Sequence, residues 1–189
     1  MTRTLLVLLS LALLLVPATR SRAADNMAEI EQVGLGNQAT IRQDGRSNEA
    51  AILQQGNGND GSVVQDGNDN VAELRQQANG SEATLVQRGN GNAINVLSRG
   101  LDLVATATLI GANNTLDLEQ DGTSLAAAVD VTGSANTLSL AQTGQNNAMT
   151  LNIQGDGSAW QIGQHGAGLG LTVTHRGPGL PLAIQQTAP

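Results

Sequence analysis

The sequence predicts an all-β fold: a parallel, amyloid-like β-solenoid of 22-residue coils, each made of two strands and two arcs. Three observations predict it. A glycine recurs every eleven residues, from Gly34 through Gly45, Gly56 and Gly67 to Gly177, filling thirteen of fourteen slots, with Ala78 the exception and no insertion or deletion. A period kept over most of a chain marks a repeat array, in which each unit buries its apolar face against the next. Five and seven residues after these positions stand small or apolar pairs, such as Ala39 and Ile41, Ala50 and Ile52, Ala83 and Leu85, and Ile94 and Val96. Residues between and beside them (Thr40, Arg42, Glu73, Asn95) are mostly polar, and alternation with period two is a strand signal. In the second half one slot reads Leu109, Gln120, Val131, Gln142, Ile153, Gln164, His175, Gln186, a period of 22. Residues 22 apart therefore stack on one wall, and residues 11 apart face each other across a thin core.

Taken in order, residues 1–23 read as a secretory signal peptide. Arg3 gives a short basic start, Leu5 to Val16 is apolar except for Ser10, and Ser21-Arg22-Ala23 sets small residues at the cut after Ala23. That apolar run of 12 residues is shorter than the roughly 20 that span a bilayer, so the reading is export without membrane insertion. Residues 24–27 form a short N-terminal segment, residues 28–186 the solenoid and residues 187–189 a C-terminal tail.

Within the solenoid, turn residues separate the strands: Asp44-Gly45-Arg46-Ser47, Gln55-Gly56-Asn57-Gly58, Asp66-Gly67-Asn68-Asp69. The arc glycines Gly34, Gly45, Gly56, Gly67 and Gly89 supply the positive φ that a tight bend needs. Each unit is expected to be a strand of about five residues and a bend of about six. Helix is excluded as the main state, because regular glycine and period-two alternation both oppose it. Fifteen strand slots lie between Ala28 and Gln186. At about 4.8 Å per rung they would stack to roughly 35 Å.

The inward positions also include amides. Gln32, Gln43, Gln54, Gln65, Gln76 and Gln87 have the parity of the core pair, as do Asn37, Asn48, Asn59, Asn70 and Asn92. Each stands above its equivalent one coil away, so that stacked side chains donate and accept along the axis and offset the cost of their burial. Leu103, Leu125, Leu169 and Leu180 replace the Asn in part of the second half. Trp160, in a first core slot, is read as a core filler, and His175, in a Gln slot, as a buried structural histidine.

Composition narrows the function. With one Trp, no Phe, no Tyr and 23 Gly, the core must be built in thin aliphatic layers. Absence of Cys excludes disulfides and thiolate metal sites. The formal charge is −7; three of the nine arginines precede Ala24 and all sixteen acids follow it, so the chain from Ala24 carries −10. That leaves no electrostatic footprint for nucleic acid, and it slows self-association. No catalytic constellation, cofactor fingerprint or metal-ligand spacing emerges: the glycines of Gly166 to Gly170 belong to the repeat, and Asp44, Asp66 and Asp121 sit where turn chemistry suffices. The chain is therefore not expected to be an enzyme or to carry a cofactor. The chain from Ala24 also has no capping unit of the kind monomeric solenoids use. Its terminal coils would offer unpaired strand edges, the setting for axial self-assembly. Pro178 and Pro181 flank the last strand and would blunt that end.

The unit Q-x-G-x-x-N-x-A-x-x-x-Q, complete at Gln32 to Gln43 and Gln43 to Gln54, resembles the curlin repeat. The likeness covers Gln32 to Asn92 closely, and from Ser98 onward the spacing persists while Gln and Asn are often replaced. It implies an exported structural subunit of curli, the extracellular amyloid fibres of Gram-negative bacteria that serve adhesion and biofilm matrix. It also implies a role in polymerisation for the inward Gln and Asn, with the N-terminal coils templating growth. The implied partners are further copies of the chain, a sister curlin subunit, an outer-membrane export channel and a periplasmic factor that delays assembly. The alternative reading is a monomeric β-solenoid binding module, an adhesin or an ice-binding protein using the outward rank Thr40, Ser62, Thr84, Thr106, Ala128, Thr150, Thr172. Its neighbouring rank, Arg42, Val64, Val86, Thr108, Asp130, Asn152, Thr174, breaks the regularity that ice binding needs.

Overall fold

The structure is a computed structural model of the 189-residue chain. It describes residues 4–11, 16–23, 25–177, 179 and 181–188, with side chains from residue 25 onward. Every regular element among the described residues is a strand. Two lie ahead of the repeats, β1 (Thr4–Leu11) and β2 (Val16–Ala23). The stack then runs β3 (Asn26–Val33), β4 (Asn37–Arg46), β5 (Glu49–Gln55), β6 (Asp60–Asn68), β7 (Val71–Asn79), β8 (Glu82–Asn90), β9 (Ala93–Leu101) and β10 (Val104–Ala112). It continues through β11 (Thr115–Thr123), β12 (Ala126–Ser134), β13 (Thr137–Gln145), β14 (Ala148–Gln154), β15 (Ala159–Ala167), β16 (Gly170–Arg176) and β17 (Leu182–Thr187).

Odd and even strands go to different walls. One sheet is ordered β1-β4-β6-β8-β10-β12-β14-β16, the other β17-β15-β13-β11-β9-β7-β5-β3-β2. From β3 onward all neighbours are parallel and in register at 22 residues: Ile41 pairs with Val63, Gln43 with Gln65, and Gly45 with Gly67. This is the two-strand coil that the 22-residue alternation predicts. Strict alternation turns one face of each strand inward, and Ile30, Ile41, Ile52, Val63, Leu74 and Leu85 are fully buried between the walls. Because the two strands of a coil run in opposite directions, the small first-slot residue does not face the first slot of the other wall as expected but its Gln slot: a Cβ on Gly61 would meet Gln54 and Gln76. Trp160 is buried, as a core filler should be.

The strands are longer than the five residues expected. They span up to 10 residues, and only Asp69 and Asn70 separate β6 from β7. Because every coil repeats the one below, bend residues also find backbone partners 21 or 23 residues away, as when Gly56 N–H donates to Val33 O at 2.9 Å. The pairing therefore continues through the bends. Gly45 shows what the bend demands: its φ is +119°, and a Cβ there would overlap the carbonyl of Gly67 in the next coil. A second left-handed residue precedes each Asn slot, and it is often not glycine: Ser47, Asp69, Asn113 and Ala135 all have φ between 53° and 57°.

At the N-terminal end the stack begins at Asn26, two residues before Ala28. The bare first coil was expected for a chain starting at Ala24; in the full chain β1 pairs antiparallel with β4 and β2 antiparallel with β3. An open strand edge accepts any extended segment within reach, and here residues of the proposed signal segment supply it. At the other end β16 and β17 carry no further strand among the described residues. Leu171, Val173 and Ile184 are only partly buried there, and Leu182 is 39% exposed. Leu180 and Pro178 lie outside the described residues.

Candidate functional site: the amide ladders and the ends of the stack

All eleven inward amides read from the sequence are buried, none more than 2% exposed. The Gln form two ladders, one per wall. On one, Gln43 Nε2 donates to Gln65 Oε1 and Gln65 Nε2 to Gln87 Oε1, both at 2.9 Å. On the other, Gln32 donates to Gln54 at 2.6 Å and Gln54 to Gln76 at 2.8 Å. The second amide proton bonds a backbone carbonyl on the facing wall: Gln43 to Met27 O at 2.9 Å, Gln54 to Gln38 O at 2.8 Å, Gln87 to Val71 O at 2.8 Å. Gln43, Gln54 and Gln65 thus each tie their own wall to the next coil and to the opposite wall, which fixes the rotamer and gives the ladder a direction.

The Asn ladders run the other way. Asn70 Nδ2 donates back to Asn48 Oδ1 at 3.0 Å and onward to Gly89 O at 2.8 Å, while Asn70 N–H also bonds Asn48 Oδ1. Its Oδ1 accepts in turn from Asn92, and Asn37 holds Asn59 likewise. Asn slots therefore close the bends, and Gln slots tie the walls.

The second half does not decay uniformly, as the repeat pattern suggested. One wall keeps its amides: Gln120, Gln142, Gln164 and Gln186 are linked at 2.8–3.0 Å, with Ser98 Oγ donating to Gln120 at 3.4 Å. The same wall's bend keeps Asn114 and Asn136, linked at 2.9 Å. On the other wall the Gln slot turns apolar at Leu109, Val131 and Ile153, all buried, and two of its bend positions are Leu103 and Leu125. The change is an asymmetry between walls. Sequence reading missed Asn26, Asn114 and Asn136, although all keep the eleven-residue phase of Asn37. It also missed an exposed ladder in the bends, in which Asn68 accepts from Arg46 N–H and donates to Asn90.

Directional ladders have unlike ends. Gln32 Oε1 and Gln43 Oε1, the first acceptors on each wall, are buried without a hydrogen-bond partner. At the opposite end Gln186 Nε2 has a 3.4 Å bond to Gly170 O. His175 closes the other wall's Gln slot, half-buried against Trp160 with 5.3 Å between ring centroids. Among the described residues no group of three or more His, Asp or Glu is placed to hold a metal ion.

Fold and ladders define a class: a parallel β-solenoid whose coils are stitched by polar, directional amide stacks. The family model for the curlin associated repeat matches residues 23–56, 34–67, 45–77 and 111–144. Over residues 23–77 and 111–144 its repeats are thus of the curlin type. The last match falls within the half where the motif is less regular, at the coil that retains Asn114, Gln120 and Asn136. No curated protein and no solved structure matches the chain.

Proposed function

We propose that this chain is an exported structural subunit of an extracellular, curli-like amyloid fibre, built by axial stacking of solenoid coils and serving adhesion and biofilm matrix. The observation that carries the reading is the polarity of the stack: buried, unpartnered Gln acceptors at the first coil, a Gln donor and open strand edges at the last. A second copy satisfies both ends at once, and burial of Leu171, Val173, Leu182 and Ile184 adds to the drive. The eleven inward amides, Gln32 to Asn92, serve in this reading to template the incoming coil, and the five arc glycines keep the bends stackable. Removal of residues 1–23 during export bares the edges of β3 and β4. A sister curlin subunit, an outer-membrane channel and a periplasmic factor that holds back assembly complete the pathway. The purified chain from Ala24, held at neutral pH, is expected to convert from monomer to fibres visible by electron microscopy. A chain that stays monomeric for weeks contradicts the proposal.

A further inference from the structure

Each eleven-residue unit carries the chain from one wall to the other, so a shift of eleven residues is a half turn about the stack axis with a rise of half a rung, about 2.4 Å. From β3 to β17 there are fifteen such half-coils, and the first and the last belong to the same wall. A second copy set on the last coil without rotation would bring its β3 to the wall that β17 has just filled. It would leave one rung of the other wall, above β16, empty, with the backbone donors and acceptors of that rung unpaired. A half turn removes the gap: β3 then lies on β16, and β4 lies on β17.

We propose, building on the fibre reading above, that successive copies of this chain join head to tail with a half turn between them, β3 on β16 and β4 on β17. Two copies then make one axial repeat, and the fibre continues the screw already present inside each chain.

Four sets of observations meet in this junction. Carrying the in-register stacking across it sets Gln43 on Gln186 and Gln32 on His175. Those are the two residues whose buried Oε1 atoms lack partners. Inside the chain a Gln Nε2 donates to the Oε1 one coil further on wherever that slot again holds Gln, as Gln164 does to Gln186 at 2.8 Å. Gln186 is the next donor in that series, and on the other wall the same slot holds His175, stacked against Trp160. The same register lays Ala28 on Leu171, Ile30 on Val173, Ala39 on Leu182 and Ile41 on Ile184. Every incompletely covered apolar side chain of the last coil gains a roof, whereas the unrotated arrangement leaves Leu171 and Val173 uncovered. The junction needs the edges that β1 and β2 occupy in the full chain, so it forms only after residues 1–23 are gone.

The chain has no cysteine, which permits a direct test with the chain from Ala24. The half turn sets Glu31 beside Thr174, one rung away at about 4.8 Å, within disulfide reach. Without rotation Glu31 lies beside Gln185. Fibres of the double variant Glu31→Cys with Thr174→Cys, oxidised and then dissolved, should run as a ladder of covalent multimers on a non-reducing gel. Fibres of Glu31→Cys with Gln185→Cys should dissolve to monomer, because those positions then lie on opposite walls about 10 Å apart. Multimers from the second pair, or none from the first in well-formed fibres, overturn the half turn and leave the fibre reading standing. Failure of the unsubstituted chain to form fibres overturns both.

Discussion

Replacing Gln65 by Leu tests whether the amides act as a ladder or as separate residues. Gln65 accepts from Gln43 Nε2 and donates to Gln87 Oε1, both at 2.9 Å, and also donates to Glu49 O and Asn70 O. Shape is not the obstacle, because Leu109 occupies the equivalent slot two coils on and is fully buried. After the substitution Gln87 Oε1 has lost its donor in a buried site, and Gln43 Nε2 keeps only Met27 O. Leaving one buried polar group fully unsatisfied and a second partly so costs about 3 kcal/mol, on the order of a hundredfold in the unfolding constant. The triple variant Gln43→Leu, Gln65→Leu, Gln87→Leu removes every member of that ladder. Of the carbonyls that lose an amide donor, Asn70 O and Asn92 O still accept from Glu49 N–H and Val71 N–H, and Met27, Glu49 and Val71 lie in the parallel backbone ladder of β3, β5, β7 and β9. Removing both partners of a buried bond is close to neutral, so the triple variant should be at least as stable as the single one. Equilibrium urea unfolding of the chain from Ala24, followed by circular dichroism before fibres form, measures both. A triple variant destabilised by the sum of three single losses would refute the ladder argument.

Other consequences follow from the bends and the ends. Gly45→Ala sets a Cβ against the Gly67 carbonyl at φ +119° and should cost more than about 3 kcal/mol, read as a large fall in Tm. Ala135→Gly relieves a left-handed alanine at φ 57° and should raise stability by up to about 1 kcal/mol, read in the same melt. The uncleaved chain, whose β3 and β4 edges are paired with β2 and β1, should show a longer lag before fibre growth than the chain from Ala24. Equal lag times, measured by dye binding at matched concentration, would show that this pairing does not shield the end.

Much of this architecture was legible because a strand's side-chain period is strictly two and the repeat never slips. A residue's wall and its inward or outward direction then follow from its number alone, which placed Ile41, Gln43, Asn48 and Trp160 correctly. The bends were less legible. Turn residues such as Asp66-Gly67-Asn68 suggest a break in pairing, yet in-register stacking gives even these residues a partner one coil away, so β6 runs through Asn68. Ladder direction could not be read at all, since it depends on facing-wall carbonyls such as Met27 O and Gln38 O that fix each amide rotamer. Asn26 escaped notice because its repeat lacks the upstream Gln and Gly that announce the later copies. The unequal loss of amides between walls was visible in Gln120, Gln142 and Gln164, but only the structure showed Asn114 and Asn136 joining them.

Axial stacking of coils fixes how strands lie in the fibre, and X-ray diffraction from aligned fibres of the chain from Ala24 reads that orientation. A sharp meridional reflection is expected at about 4.7–4.8 Å from rungs stacked along the axis, with an equatorial reflection near 10 Å from the paired walls. Fibres with the 4.7–4.8 Å spacing on the equator would have their strands along the axis and would contradict axial stacking.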